Sequence, residues 1–264
     1  MSEPLRIDVL TLFPELVEPL LSHSIIGRAR ERGLVTIEVH DLRRHAVDKH
    51  GSVDDAPYGG GGGMLLRPEP LFAAVEELTG RPADERCDDE RVVLLGPAGA
   101  VHDQDSARRL ACLRRLILIC GRYEGIDDRV RTHLADETLS IGDYVLSGGE
   151  PAANVVIDSV VRLLEGALGD SEAPEKDSFA DGLLEAPHYT RPAEFRGLAV
   201  PAVLLSGHHA QVERHRRREA LRLTGSVRPD LLERFEQDLN PDAEEHGLLR
   251  ELREARELPR PEHC

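Results

Sequence analysis

Residues 91–130 read RVVLLGPAGAVHDQDSARRLACLRRLILICGRYEGIDDRV, and their pattern decides the fold. Two short apolar runs, RVVLL at 91–95 and RLILIC at 115–120, each break on a glycine, Gly96 and Gly121. Residues 103–113 between them carry helical spacing. Strand, turn, helix and strand in that order predict parallel neighbours buried on both faces. Working outward, LRIDVLTL at 5–12 and LVTIEVH at 34–40 read as two further strands. A helix is expected over 14–32, stopped at Gly33, and another over 68–78 with proline at its start. Residues 41–63 form a long polar loop that ends in five glycines. Residues 150–165, EPAANVVIDSVVRLLE, make an amphipathic helix with Asn154, Asp158 and Arg162 four apart on one face. The run 166–182 is rich in Gly, Asp, Glu and Ser and reads as a linker, and the pattern beyond it is helical and charged. The fold class is therefore α/β with a mostly parallel sheet, divided as 1–165, a connecting loop 166–182, and a helical part 183–264 that ends in an acidic tail.

Composition narrows the function without naming it. The chain has 264 residues, 40% of them hydrophobic, enough for one large domain or a medium and a small one. It has no apolar stretch long enough to span a membrane, and the start MSEPLRIDVLTLFPE lacks the basic segment of a secretory leader. Cys87, Cys112, Cys120 and Cys264 form no CxxC pair, which favours buried thiols in a reducing cytoplasm and argues against a structural zinc. A net charge of −16 argues against a general nucleic-acid coat protein. Lys49 and Lys176 are the only lysines, so the positive charge is almost all arginine, whose planar fork suits phosphates and guanine edges.

Three turn-forming runs follow apolar segments: GPAGAVHD, GRYEGIDDR, and SIGDYVLSGGE at 140–150. In open α/β sheets, ligands sit outside the carboxyl ends of strands. None of the three matches a phosphate-binding glycine loop, which disfavours a nucleotide hydrolase. One such loop alone is a tight turn; three with interleaved polar residues point to a binding site.

TLFPE at 11–15, DDAPYGGGGGM at 54–64, LICGRYEGIDDRV at 118–130, SIGDYVLSGGE at 140–150, DSFADGLLEAPHYTRP at 177–192 and VPAVLLSGHHA at 200–210 occur in one order. With these blocks the chain resembles the bacterial tRNA (guanine-N1-)-methyltransferase family, which acts immediately 3′ of the anticodon, over roughly residues 5 to 235. The resemblance implies the SPOUT class, a parallel sheet with a deep trefoil knot, plus a small helical carboxyl-terminal tRNA-binding domain. It implies S-adenosylmethionine as methyl donor, held by Leu94, Leu95 and Pro97, by Gly121, Tyr123 and Glu124, and by Ser140, Ile141, Gly142, Asp143, Tyr144, Val145, Leu146, Gly148 and Gly149. It also implies a magnesium requirement, although no dedicated metal cage is visible, and a homodimer in which the loop bearing Asp177 completes the partner's active site. Pro151 and His208 depart from the family pattern.

The same resemblance assigns Asp177 as the general base for guanine N1, Arg162 as the group that steadies charge on O6, and Glu124 as an orienting residue near the donor. The residues alone allow blander roles: an Arg162–Asp158 ion pair at i and i+4, and Asp177 as a helix N-cap before Phe179. Segment 206–222 carries five arginines and three histidines against two glutamates. Arg214, Arg216, Arg217 and Arg218 there are candidates for anticodon-stem phosphates, with an exposed, acid-paired helical face as the alternative. A related enzyme acting at another RNA position, and a noncatalytic RNA-binding protein, remain open on sequence.

Overall fold

The computed structural model describes residues 3–46, 51–85, 87–170, 172–238 and 245–250. Lys49, Cys264 and most of the acidic tail lie outside the described residues. The chain divides into two compact units, Met1–Ser171 and Glu172–Cys264.

The first unit is built on a five-stranded, wholly parallel sheet. Its strands are β1 (Leu5–Thr11), β2 (Val35–Asp41), β5 (Glu90–Val101), β6 (Arg115–Cys120) and β7 (Glu137–Ser140), in the spatial order β2-β1-β6-β5-β7. A two-stranded hairpin, β3 (Asp54–Asp55) with β4 (Leu65–Leu66), stands beside it. Alternate residues of the central strands enter two different cores. Leu116, Leu118 and Cys120 of β6 pack among α1 (Ser24–Glu31), α3 (Gln104–Ala111) and α4 (Glu150–Val161). Ile117 and Ile119 pack with α2 (Pro68–Thr79) and the π-turn Val130–Leu134. Burial on both faces explains why these strands read as unbroken apolar runs.

Several expectations change. The helix over 14–32 is two short 3-10 turns, Pro14–Leu16 and Glu18–Ser22, followed by α1. Pro19 has no N–H to continue an α-helical ladder, and His23 is extended before α1 begins. Strand β5 runs on to Val101 rather than stopping at 95, and β7, a four-residue polar strand, is not evident from periodicity. The last helix of the unit ends at Val161 with Arg162 as its C-cap. Of the thiols, Cys120 is buried, but Cys87 is only half-buried and Cys112 is exposed.

The second unit holds the short helix α5 (Ala173–Lys176), a hairpin of β8 (Glu194–Phe195) with β9 (Leu198–Ala199), and the helices α6 (His209–Val227) and α7 (Pro229–Asp238). Its core gathers Leu183, Leu221, Leu232, Phe235, Leu248 and Leu249. Within 166–182, Ala167 is buried in the first unit and α5 lies at the start of the second, so the division between the units falls inside this segment.

Candidate active site

The site begins where β5 and β7 fall out of register. Their pairing runs to Leu95↔Leu139 and resumes at Ala100↔Leu139, so residues 96–99 bulge from the ladder. A bulge re-aims the backbone it contains. Beside it, the turn after β6 is bent by Tyr123 at φ +60 and Gly125 at φ +141. That turn is tied down by the 54–66 hairpin: Glu124 N–H donates to Met64 O at 3.1 Å, and Leu66 N–H to Gly125 O at 3.0 Å. The third loop leaves β7 through Ser140, whose Oγ accepts from Gly142 N–H at 3.2 Å. It returns to β6, where Gly149 N–H donates to Gly121 O at 2.9 Å. A side chain at Gly149 would lie 2.7 Å from Cys120 Cα and 2.9 Å from Gly121 N, so only glycine lets the two loops meet.

These loops enclose a cavity of about 300 Å³, lined by residues 94–98, 121–126, 138–142 and 144–149 with Asp128, Arg131 and Ala152. That volume lies at the small end of the range for small-molecule sites. The walls are largely aliphatic and backbone, a match for a flat heterocycle held by main-chain hydrogen bonds. Of the residues expected to hold the donor, all but Asp143 line this cavity; Asp143 is exposed on the third loop.

Reading the sequence passes over the charged pair beneath the cavity. Glu150, the first residue of α4, is 1% exposed. Thr11 Oγ1 donates to its Oε1 at 2.7 Å, while Oε2 has no hydrogen-bond partner and lies 3.5 Å from Arg122 Nη1. The Arg122 guanidinium in turn stacks 4.5 Å from the Phe13 ring centre. Three segments distant in sequence, TLFPE, CGRYEG and SGGE, are thereby fastened at one point. The helix N-terminus favours a carboxylate there. Burial, with the Glu150 charge adding to it, pushes the Cys120 thiol well up and leaves it inert. Each of these residues lies inside one of the sequence blocks above, but local sequence carries no sign of burial.

The residues expected to do chemistry fall in both units. Glu124 stands exposed on its rim. Arg162 closes α4 and does not line the cavity. Asp177 belongs to the second unit, where it ends α5 rather than capping a helix that follows, and the residues after it form a turn. On α6, Arg214, Arg216 and Arg218 are exposed, with Arg216 donating to Glu213 at 3.1 Å. Arg217 differs from these neighbours, since it pairs with Asp181 and Glu245 and lies 4.9 Å over Phe235. Among the described residues, two groups bring three metal-ligating side chains together, Asp8/Glu38/His40 and Cys87/Asp89/Glu90. Neither lines the cavity, and arginines neutralise both.

The model of the tRNA (Guanine-1)-methyltransferase TrmD family matches residues 5–234. The chain belongs to that family. It is similar to the tRNA (guanine-N(1)-)-methyltransferase of Brevibacillus brevis, 57% identical over 231 residues, covering 88% of this chain and 93% of that one. The enzyme of the same name from Geobacter sulfurreducens is 54% identical, covering 88% and 93%. That of Shouchella clausii is 50% identical across 96% of this chain and its own full length. The matched span takes in the whole cavity and reaches across α6, so membership covers both units. No helix among the described residues is long and apolar enough to cross a membrane.

Proposed function

We propose that this chain transfers a methyl group from S-adenosylmethionine to N1 of the guanine immediately 3′ of the tRNA anticodon, a modification that protects the reading frame. The observation that carries this reading is the family match over both units, with three looped strand ends closing one cavity beneath it. The donor supplies an electrophilic methyl group, and the cavity's aliphatic walls and backbone groups suit its adenine.

Guanine N1 carries a proton at neutral pH and attacks poorly until it is removed. Asp177 takes that proton as general base, and Arg162 directs its N–H donors at the charge that builds on O6. Glu124, on the cavity rim, orients the acceptor. The reaction also requires magnesium. The target base is flipped out of its stack to reach the donor. In keeping with the family, we assign the complete site to a homodimer, with Asp177 of one copy serving Arg162 of the other.

Residues 1–165 act as the catalytic domain, 166–182 as the active-site loop and 183–264 as the tRNA-binding domain, with Arg214, Arg216 and Arg218 facing anticodon-stem phosphates. A trefoil knot is supported by the path of the third loop: β7 lies on the edge beyond β5, yet residues 148–149 return to bond with the turn after β6. The enzyme works in the cytoplasm, where its substrate is made.

The test is methyl incorporation into unmodified tRNA transcripts carrying guanine or adenine at the target position, with the product mapped to the base atom. The guanine transcript accepts one methyl at N1 and the adenine transcript none. Incorporation into both, or into neither, overturns the reading.

A further inference from the structure

The glycine-rich hairpin tip carries a feature that neither the cavity nor the chemistry above uses. Only 3% of the chain is aromatic, and Tyr58, at the tip of DDAPYGGGGGM, is 101% exposed. Its ring makes no packing contact with the fold, so both faces are open to a partner.

The tip is held in place. Asp54 and Asp55 pair with Leu66 and Leu65, and Arg67 N–H donates to Val53 O at 2.8 Å. Glu124 N–H donates to Met64 O, and the backbone of Gly63 lies against the Glu124 side chain. The loop is therefore fastened to the rim of the cavity at its base, while Tyr58 stands clear at its end. Gly59, Gly60 and Gly61 take positive φ, and Gly63 has no room for a Cβ beside Glu124, but the space around the first four glycines is open. A side chain at Gly59, Gly60 or Gly62 would meet nothing within 4 Å, and Gly62 has no positive φ to justify it. Bare backbone beside a bare ring leaves room for a flat molecule to lie on the tyrosine and touch the main chain.

We propose that Tyr58 is a stacking platform for an RNA nucleobase next to the flipped guanine, replacing the neighbour that base loses when its target leaves the stack. The inference rests on the RNA methyl-transfer reading above. An aromatic face stacks on any base, so Tyr58 contributes affinity for the unstacked strand rather than sequence choice.

The chain contains no tryptophan, so Tyr58→Trp supplies a single reporter at the tip. Its emission is that of an exposed indole in the free protein, is unchanged by S-adenosylmethionine alone, and is quenched by saturating anticodon stem-loop RNA. In steady state, Tyr58→Ala raises the KM for tRNA roughly five- to a hundredfold, Tyr58→Phe restores it, and donor affinity stays at the wild-type value in each. Unquenched emission at saturating RNA, or a Phe variant as impaired as Ala, overturns the proposal. So does a blue-shifted emission in the free protein that changes with protein concentration, which would mean that a second copy covers the ring. If wild type methylates the guanine transcript and Tyr58→Ala leaves KM unmoved, the platform alone is wrong. If wild type methylates nothing, the functional reading fails first.

Discussion

The two ends of the five-stranded sheet treat buried acid in opposite ways. Toward the amino-terminal end, Asp8 is fully buried and its two oxygens are hydrogen-bonded by Arg6 at 2.9 Å and His40 at 2.8 Å, with the Arg115 guanidinium 3.3 Å away but making no hydrogen bond to it through Nε. Glu90, 5% exposed, is held between Arg81 and Arg114. Each carboxylate there is closed off by cations. At the carboxyl end, Glu150 is just as buried, but one of its oxygens lacks a hydrogen bond and its arginine lines a cavity. The surroundings are glycines, a register slip and a non-glycine residue at positive φ. A buried, fully paired charge fixes a scaffold, whereas a buried charge with spare capacity beneath a cavity builds a site. The sheet thus keeps its regularity at one end and its irregularity at the other.

This contrast predicts that damage at the two ends separates cleanly. The largest effect is on the scaffold. Asp8→Asn removes the anion that Arg6, Arg115 and His40 share, and costs about 3 kcal/mol, the low end for breaking a buried pair because Arg6 keeps solvent access. Chemical denaturation reads that loss, and donor affinity measured on the folded variant stays at the wild-type value. A drop in donor affinity matching the drop in stability would dissolve the distinction.

Next in size is Gly149→Ala. The added methyl meets the Cys120–Gly121 backbone, and overpacking of this kind costs about 1–3 kcal/mol, equivalent to roughly a ten- to hundredfold loss if it falls on donor binding. Calorimetric titration with S-adenosylmethionine should find the loss in affinity, with the midpoint of unfolding moved less than in Asp8→Asn. Intact binding would show that the two loops need not touch.

The smallest effect is a pH dependence confined to the amino-terminal end. Burial pushes the Asp8 carboxyl up, but hydrogen bonds from His40 and Arg6 and the charges of Arg6 and Arg115 outweigh it and hold the group below its ordinary value. A depressed carboxylate contributes stability above its unfolded pKa, about 3.9, and loses it as the pH falls through the folded value. The stability gap between wild type and Asp8→Asn should therefore be full at neutral pH and close below about pH 4. A gap that persists unchanged in acid would assign the loss to packing instead.

The same contrast explains which features are legible in the sequence. Strand β6 shows in its apolar run because burial on both faces leaves no other composition for it, whereas β1 and the edge strand β2 show in the alternation of LRIDVLT and VTIEVHD. The glycines that follow the apolar runs of β5 and β6 mark the cavity because ligands lie at strand ends and only a residue without Cβ tolerates the close approach. Strand β7 stays hidden: ETLS is short and polar, and it is a strand only because β5 pairs with it across a bulge. The extension of β5 through GPAGAV is hidden for the same reason. Glu150 and Arg122 stand in plain view within recognisable motifs, yet their pairing joins segments as far apart as Thr11 and Glu150. Arg217 looks like its neighbours on α6, and only the fold reveals that it serves the second unit's own core. Family resemblance, not periodicity, is what singles out Arg162 and Asp177.

Whether the carboxyl end of the sheet is the methyl-donor site is tested directly by hydrogen exchange with and without saturating S-adenosylmethionine. A donor site there predicts slowed exchange for the amides of residues 94–98, 121–126 and 140–149, with residues 6–8, 38–40 and 114–115 unchanged. Protection centred on the Asp8 network, or none anywhere at saturating donor, would contradict it.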